Sequence, residues 1–268
     1  MRKIAFIGVG NMAGAIIGGM LRSGAVDHPH LILSDCFPDK CAPYAEQGAT
    51  VAATPAEAAA MADCVVLSVK PQNFPEILPA LAAVEGIEHK LIITIAAGIA
   101  SATVKSALRG APVVRVLPNT PMLIGLGVSV VCRADDVSPE DFAFVCKAFE
   151  ASGSVTVIDE GDMNRIISVT SSSPAYVFAF IDAIRAGAEA QGLDGDGLLD
   201  SICDVVIGAA TLLKSGDLTP AQQIARVTSK GGTTEQAMRV LREQDMTATV
   251  VEAMKACTAR AEEMSRSV

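Results

Sequence analysis

Two glycine-bearing turns contain the residues whose types and spacing are suited to chemistry. The first turn follows a short apolar run, Ile4–Ile7, and begins with Gly8 and Gly10, where backbone N–H groups can approach a ligand. A helix is predicted directly after it, and the N–H groups at a helix N-terminus favour a phosphate. The order strand, glycine turn, helix therefore predicts a site for a dinucleotide pyrophosphate. An ordinary glycine-rich turn without a ligand is the alternative.

The second turn lies in the segment Ser229–Thr234, where Gly231 and Gly232 precede a predicted helix start near Thr233. Exposed amides and the helix dipole favour a small anion such as a carboxylate, and hydroxyl groups stand beside them. The alternative is an ordinary loop with a threonine cap, which leaves the Gly-Gly pair unexplained.

Two further candidates follow predicted strands. Asp35 comes after the strand 30–33 and Ser34, about 20 residues beyond the glycine turn, where an acidic residue accepts hydrogen bonds from the adenosine ribose. Its carboxylate favours NADH over NADPH, but Asp35 could equally cap a helix that begins near Pro38. Lys70 follows the strand 64–69 and is suited either to a phosphate or ribose contact or to a solvated loop.

Strands and helices alternate over the first half of the chain. We expect strands at 4–7, 30–33, 64–69, 91–95, 113–117, 128–131 and 155–158, and helices capped by Thr54, Ser101 and Ser138. The segment 118–121 (PNTP) should interrupt regular structure. This alternation predicts an α/β, Rossmann-type, doubly wound and mainly parallel sheet over residues 1–158.

The second half, residues 159–268, is predicted to be an all-α dimerisation domain. Apolar residues from Met163 onward form one long helical stripe, which Pro174 should kink, with the serines at 171–173 bonding the freed backbone groups. A helix at 197–213 is apolar nearly all round. A domain of this size can hardly bury it alone, so we expect a homodimer in which this helix packs against its symmetry mate.

Composition excludes several classes of partner. The net charge is −9 and no Lys/Arg cluster occurs, which argues against nucleic acid and against an anionic membrane surface. No uninterrupted apolar run reaches about 18 residues, so we expect no membrane span and a cytoplasmic protein. The seven cysteines form no CxxC pair, so we expect buried free thiols and no metal site.

Six segments together resemble the pyrroline-5-carboxylate reductases, enzymes of the last step of proline biosynthesis. They are 6–13 (FIGVGNMA), 68–71 (SVKP), 96–98 (AAG), 115–121 (RVLPNTP), 172–176 (SSPAY) and 227–234 (VTSKGGTT). The combination of PNTP, SPAY and GGTT is specific, and the resemblance covers the chain from end to end.

The resemblance implies that hydride passes from NADPH or NADH to the C=N bond of 1-pyrroline-5-carboxylate, giving L-proline. It also implies an interlocked homodimer that can assemble further. Thr234 would be the catalytic residue, as the hydrogen-bond partner of the ring nitrogen. The substrate carboxylate would be bound by Ser229, Gly231, Gly232, Thr233 and Thr234. The cofactor would be bound by Gly8, Gly10, Asn11, Met12, Ser34, Asp35, Val69, Lys70, Pro71, Ala97, Gly98 and Asn119.

Two departures from the family pattern stand near these motifs. The family usually has a proline where this chain has Lys230, and at least one glycine among positions 171–173, which are all serine here. Lys230 could strengthen carboxylate binding or point outward. A position in 171–173 that required positive φ would disfavour serine.

Two other functions fit a dinucleotide domain followed by helices. The first is a β-hydroxyacid dehydrogenase-like enzyme, but such enzymes resemble one another in using a lysine on the first long helix, which here carries Arg165 and Arg185 and no lysine. The second is a non-catalytic nucleotide-binding regulator that kept the fold and lost the reaction.

Overall fold

A computed structural model describes residues 1–133 and 137–266 of the chain. Its centre is one eight-stranded sheet, in which every neighbouring pair is parallel except β6 and β7. The strands are β1 (Ile4–Ile7), β2 (Leu31–Ser34), β3 (Thr50–Val51), β4 (Cys64–Leu67), β5 (Leu91–Thr94), β6 (Val113–Leu117), β7 (Gly127–Cys132) and β8 (Gly153–Ile158). The predicted mainly parallel, doubly wound sheet is confirmed.

Twelve α-helices accompany the sheet in the described ranges. They are α1 (Asn11–Ser23), α2 (Ala42–Ala45), α3 (Pro55–Met61), α4 (Phe74–Ala82), α5 (Ser101–Ala107), α6 (Pro139–Glu150), α7 (Met163–Ile166), α8 (Ser173–Glu189), α9 (Leu198–Lys214), α10 (Pro220–Val227), α11 (Thr233–Glu243) and α12 (Met246–Arg266). Thr54 caps α3 and Ser138 caps α6 through side-chain oxygens, as predicted.

The strand order is β3-β2-β1-β4-β5-β6-β7-β8. The chain runs outward from β1 to β3 on one side and then returns to β4 on the other side of β1. The order therefore reverses between β1 and β4, and ligands of such sheets bind at the carboxyl ends of the strands that flank this reversal.

The central strand β1 is apolar on both faces because both faces are covered. One core cluster joins Phe6 of β1 to Ile16 of α1 and Phe149 of α6, and all three side chains are fully buried. The second cluster joins Ile7 of the same strand to Phe74 of α4 and other residues of α3, α4 and α5. Alternate residues of β1 thus supply both layers, as a buried parallel strand requires.

The chain divides into two compact units. The first comprises residues 1–174 and 256–268, and the second comprises residues 175–255. Within the fully described second unit, Ile202 is the one buried side chain, at 6% exposed. Large apolar side chains are instead left at the surface, among them Phe178 (63%), Val205 (67%) and Ile207 (62%). The single chain therefore gives these helices almost no core of their own.

Several local predictions were wrong. Ser101 does not cap α5, because the cap position is Ala100 and the Ser101 hydroxyl hydrogen-bonds Glu160 instead. Regular structure is not interrupted throughout 118–121, because Thr120–Ile124 forms a 3-10 helix with Pro121 in its first turn, where a missing N–H costs nothing. Cys36 is exposed rather than buried.

The α-helix is interrupted immediately before Pro174, by a π-helix at Ile167–Ser171 and a bend at Ser172. The serines do not bond the backbone groups released there. The side-chain amide of Asn119 donates to the Thr170 carbonyl at 3.0 Å, while the Ser172 hydroxyl lies 3.3 Å from the Cys257 sulfur. Asn119, which is distant in sequence, therefore makes the hydrogen bond to a freed carbonyl that was predicted for the serines.

One helical stretch of the described residues, Glu160–Glu189, is long and apolar enough to cross a membrane. The sequence analysis did not single out this stretch, because polar residues interrupt its apolar runs. A helix that packs against a protein partner has the same composition. Two polar residues of the stretch are bonded to protein groups, Asn164 to Ser265 and Arg165 to Asp162.

Candidate functional site

The glycine turn is fixed by hydrogen bonds to the strands on either side of it. Gly8 donates its amide to the Ser34 carbonyl at 2.8 Å, and the Ser68 hydroxyl donates to the Gly8 carbonyl at 2.7 Å. Gly8 has φ +93°, and a Cβ placed there would stand 2.9 Å from the Val69 Cγ1 atom. A side chain at residue 8 is thus disfavoured both by the backbone conformation and by Val69, which follows β4.

Gly10 differs from Gly8, because its surroundings are open. Its φ is −84°, and no described atom lies within 4 Å of the position that a Cβ would take. No side chain caps α1 at Gly10, and the first turn of α1 contains no acidic residue. Neither a cap nor an acidic side chain therefore engages the N–H groups of that turn, which fits the pyrophosphate of a dinucleotide.

Asp35 lies beside this turn at the end of β2. One carboxylate oxygen accepts the Val9 amide at 2.6 Å and the other accepts the Phe37 amide at 2.8 Å, with the Lys40 ammonium 3.5 Å away. Burial would raise the pKa of this carboxyl group, but the two amides and Lys40 outweigh it and hold the pKa below its usual value. The predicted alternative, a helix cap, is wrong, because no side chain caps the 3-10 helix Pro38–Lys40.

These groups line one cleft of about 580 Å³ at the reversal of strand order. Six predicted cofactor residues lie in it, namely Gly8, Gly10, Ser34, Asp35, Val69 and Lys70. The sequence analysis missed others, including Phe37, Lys40, Ser68, Asn73, Glu76 and Ile77. Ser68 could have been found, since it follows β4 directly; Glu76 and Ile77 lie on α4, where no sequence signal marks them.

The structure places the remaining predicted cofactor residues outside that cleft. Asn11 lines a neighbouring hollow together with Gly14 and Tyr44. Met12 is the second residue of α1, and Pro71 is the first residue of a 3-10 helix.

Gly98 and Ala97 contact the protein itself. Gly98 has φ +76°, and a Cβ there would lie 2.8 Å from the Met264 Cβ atom, so this glycine permits close approach of α12. Ala97 packs against an apolar cluster that includes Met163.

Asn119 has both ends of its side chain bonded to protein groups. Its amide nitrogen donates to the Thr170 carbonyl at 3.0 Å, and its oxygen accepts the Val128 amide at 2.8 Å. The residue is 6% exposed. Asn119 therefore positions the start of β7 and the π-helix, and its cofactor contact stays a prediction.

An ion pair joins a buried arginine of β6 to the half-buried Glu160. Arg115 of β6 is 1% exposed and donates to Glu160 at 2.7 Å and to Asn164 at 2.8 Å. Glu160 also accepts the Ser101 hydroxyl. Within the described residues, the Arg115 Nε atom is buried without a partner.

The second candidate turn, Ser229–Thr234, lies wholly in the second unit. The Gly232 amide donates to the Ser229 carbonyl at 3.0 Å, and Gly231, at φ +74°, occupies the left-handed position of this turn. Helix α11 begins at Thr233, and no side chain caps it at Gly232. The turn therefore presents the amides of a helix start together with the predicted hydroxyl groups. Lys230 is exposed.

One contact in this turn was not foreseen. The Gly231 amide donates to the Glu235 carboxylate at 2.7 Å. The Glu235 carboxylate thus already accepts a hydrogen bond from one of the N–H groups that were predicted to bind the substrate carboxylate.

The serines at 171–173 adopt ordinary backbone conformations. Ser172 has φ −93°, and the non-glycine residues with positive φ in the described chain are Arg109 and Asp245. The segment therefore does not need the glycine that the family usually has there. Within the described residues, no group of three His, Cys, Asp or Glu side chains is placed to hold a metal.

The fold and the cleft define a dinucleotide-binding oxidoreductase with a helical second part. Residues 3–98 match the family described as NADP oxidoreductase, coenzyme F420-dependent, and residues 160–264 match pyrroline-5-carboxylate reductase dimerisation. The chain is 37% identical over 271 residues to pyrroline-5-carboxylate reductase of Vibrio alginolyticus, covering 99% of this chain and 98% of that protein.

Solved structures agree with this assignment. The 1-pyrroline-5-carboxylate reductase of Streptococcus pyogenes is 30% identical, with a TM-score of 0.88 over 98% of both chains. The pyrroline carboxylate reductase of Plasmodium falciparum with NADP bound shares the fold, at a TM-score of 0.90, 23% identity and 98% of both chains. The chain belongs to the pyrroline-5-carboxylate reductase family.

Proposed function

We propose that the protein is an NAD(P)H-dependent pyrroline-5-carboxylate reductase that reduces the C=N bond of 1-pyrroline-5-carboxylate to give L-proline. Family membership over 99% of the chain carries this proposal, because it includes the cofactor cleft and the substrate turn alike. The proposal places the enzyme in the cytoplasm, with proline biosynthesis as its role.

The cofactor fits the cleft described above. The open Gly10 position and the uncapped N–H groups of α1 would hold the pyrophosphate, and the Asp35 carboxylate would accept ribose hydroxyls. Lys70 lines the same cleft and is available to a phosphate or ribose oxygen. When bound, reduced nicotinamide supplies the hydride.

The substrate carboxylate would be held by the turn Ser229–Thr234. The amides at the start of α11 and the hydroxyls of Ser229 and Thr234 are donors suited to an anion. We assign Thr234 as the hydrogen-bond partner of the ring nitrogen, where its hydroxyl or a water completes the proton path. A protonated imine is already electrophilic, so the site needs no strong acid side chain, and rate acceleration comes mainly from positioning.

The second unit supports a homodimer as the working form. Its apolar helices bury almost nothing within one chain, and Val205 and Ile207 of α9 are more than 60% exposed, at 67% and 62%. Exposed apolar faces of this extent mark an interaction surface. We propose that α9 packs against the same helix of a second copy and that larger assemblies build on that dimer.

The dimer is tested by light scattering on the purified protein. We expect twice the chain mass, or an even multiple of it, for the wild type and a shift toward the chain mass for Val205→Asp, since a charge would then be buried at the interface. Ala102→Asp, at an exposed position in the first turn of α5, is the matched control and should leave the mass unchanged. A monomeric wild type in aqueous buffer would contradict the proposal.

The reaction is tested by nicotinamide absorbance. The protein should oxidise NADH or NADPH in the presence of 1-pyrroline-5-carboxylate and should not reduce the oxidised cofactor with 3-hydroxy acids. Activity with the hydroxy acids alone would select the dehydrogenase alternative. No change in nicotinamide absorbance in either assay would favour the non-catalytic regulator.

A further inference from the structure

We propose that the cofactor cleft selects NADH over NADPH and that Asp35 makes the selection. This inference rests on the proposed function, because it concerns which reduced nicotinamide the same site takes. It goes beyond the family assignment, which covers both cofactors.

Asp35 is held rigidly where the adenosine ribose of a dinucleotide lies. The register of β1 and β2 pairs Ile7 with Ser34, so Asp35 stands beside the glycine turn at the carboxyl end of the sheet. Its side chain is 6% exposed, and its two oxygens are fixed by the amides of Val9 at 2.6 Å and Phe37 at 2.8 Å. Because an amide binds each of its oxygens, the carboxylate cannot rotate away from a phosphate that approaches it.

The carboxylate is negatively charged at neutral pH, because its pKa lies below the usual value for aspartate. The two amides and the Lys40 ammonium occupy about three of the four lone-pair sites that a carboxylate offers. The remaining site, on the oxygen that accepts the Val9 amide, can accept the 2′-hydroxyl of the NADH ribose. The 2′-phosphate of NADPH has no proton to offer there in its dianionic form, and it would place like charges in contact.

The cations of the cleft do not offset this repulsion. Of the described residues that line the cleft, none is arginine, the side chain that typically accommodates a 2′-phosphate. The Lys40 ammonium is already paired with Asp35 at 3.5 Å and lies 4.7 Å from the centroid of the Phe37 ring. Glu76 adds a second carboxylate to the lining, so two anions face the two lysines, Lys40 and Lys70.

The test is a direct binding measurement on the wild type without imine. Titration with NADH and with NADPH, followed by nicotinamide fluorescence, should give a Kd for NADH at least about tenfold lower, since like-charge contacts discriminate strongly. Equal affinity, tighter binding of NADPH or binding of neither cofactor would overturn the inference. The wild-type ratio decides the question even where a variant fails to fold.

Two variants locate the cause. Asp35→Ser should weaken NADH binding and tighten NADPH binding, so that the ratio of the two Kd values falls at least about tenfold. Asp39→Ser removes the same charge from an exposed position outside the cleft and should leave the ratio unchanged. An unchanged ratio in folded Asp35→Ser would remove Asp35 from the selection.

The binding assay also separates this inference from the proposed function. A protein that binds NADH in preference but reduces no pyrroline-5-carboxylate would refute the function and leave the selection standing. A protein that reduces the imine with NADPH in preference would do the reverse.

Discussion

Replacing Gly10 by alanine should separate cofactor binding from folding, because the two glycines of the turn are constrained differently. At Gly10 the φ of −84° suits alanine, and an added Cβ would meet no described atom within 4 Å. Alanine at this helix cap costs up to about 1 kcal/mol, while the loss of unfolded-state entropy returns about 0.4–1 kcal/mol. We therefore expect the free energy of unfolding to change by less than about 1 kcal/mol.

The same methyl group should weaken binding of NADH and NADPH. It would occupy the space through which a pyrophosphate approaches the N–H groups of α1. Loss of one charge-assisted hydrogen bond is worth about 1.5–3 kcal/mol, which raises the Kd about 10- to 150-fold.

Gly8→Ala is the contrasting variant. Its φ of +93° and the 2.9 Å approach to Val69 impose a conformational cost of about 1–2 kcal/mol and a packing cost of about 1–3 kcal/mol. Gly24→Ala is the matched control, because Gly24 has φ +71° but no described atom within 4 Å of an added Cβ. It should lose only the conformational part.

The assays are thermal unfolding without cofactor and fluorescence titration with NADH. Gly8→Ala should lower Tm by several degrees more than Gly24→Ala, since each kcal/mol is worth about 2–4 °C for a chain of this size. Gly10→Ala should keep the wild-type Tm and lose affinity. A Gly10→Ala protein that binds NADH as tightly as the wild type would refute the assignment of this turn to the pyrophosphate.

Three further variants test other contacts. Thr234→Ala should lower kcat/KM for pyrroline-5-carboxylate about 10- to 100-fold, because it removes one hydrogen bond, and should leave the Kd of the cofactor unchanged. Thr249→Ala is the control. An unaltered kcat/KM in Thr234→Ala would remove Thr234 from the mechanism. Glu235→Gln should lower KM about 2- to 5-fold, because Gly231 then loses its competing carboxylate, whereas Glu243→Gln should not; equal KM values would contradict this. Burial tends to raise the pKa of Glu160, but Ser101 and Arg115 outweigh it and lower the pKa from 4.5, so its stabilisation is present above that value and lost as pH falls through the folded-state pKa. Glu160→Gln should therefore have a lower Tm than the wild type near neutral pH and a shallower loss on acidification; parallel Tm curves would contradict that.

The elements of the sheet were predictable because they depend on short-range signals. The run Ile4–Ile7 is apolar at every position, since both of its faces are covered, and Gly24 ends α1 in the left-handed conformation. Thr54 and Ser138 cap their helices through the residue three positions on. The predicted strands 64–69 and 91–95 end two residues and one residue too far, and the predicted strands 30–33 and 128–131 end one residue short. Ser68 and Val69 lie beyond β4 because they line the cleft.

The contacts that the sequence did not reveal join residues far apart in the chain. The residues around Ser101 predict that it caps a helix, yet its hydroxyl donates a hydrogen bond to Glu160. Arg115 is the one charged residue in the apolar strand β6, yet it is buried because Glu160 and Asn164 supply its partners. A buried guanidinium is tolerated only when such partners bind it, and the sequence around Arg115 does not predict which residues they are.

Asn119 shows how such contacts build the candidate site indirectly. Its motif marked it as a cofactor residue, but both ends of its amide are bonded to protein, at Val128 and at Thr170 of the π-helix. Pro174 has no N–H to donate to the Thr170 carbonyl four residues earlier, and Asn119 satisfies that carbonyl instead. One side chain therefore fixes the start of β7 and the irregular turn before Pro174 together. This explains why serines suffice at 171–173. Asn119, which follows β6, supports the π-helix through Thr170, and Ser172 has negative φ, so the segment needs no glycine.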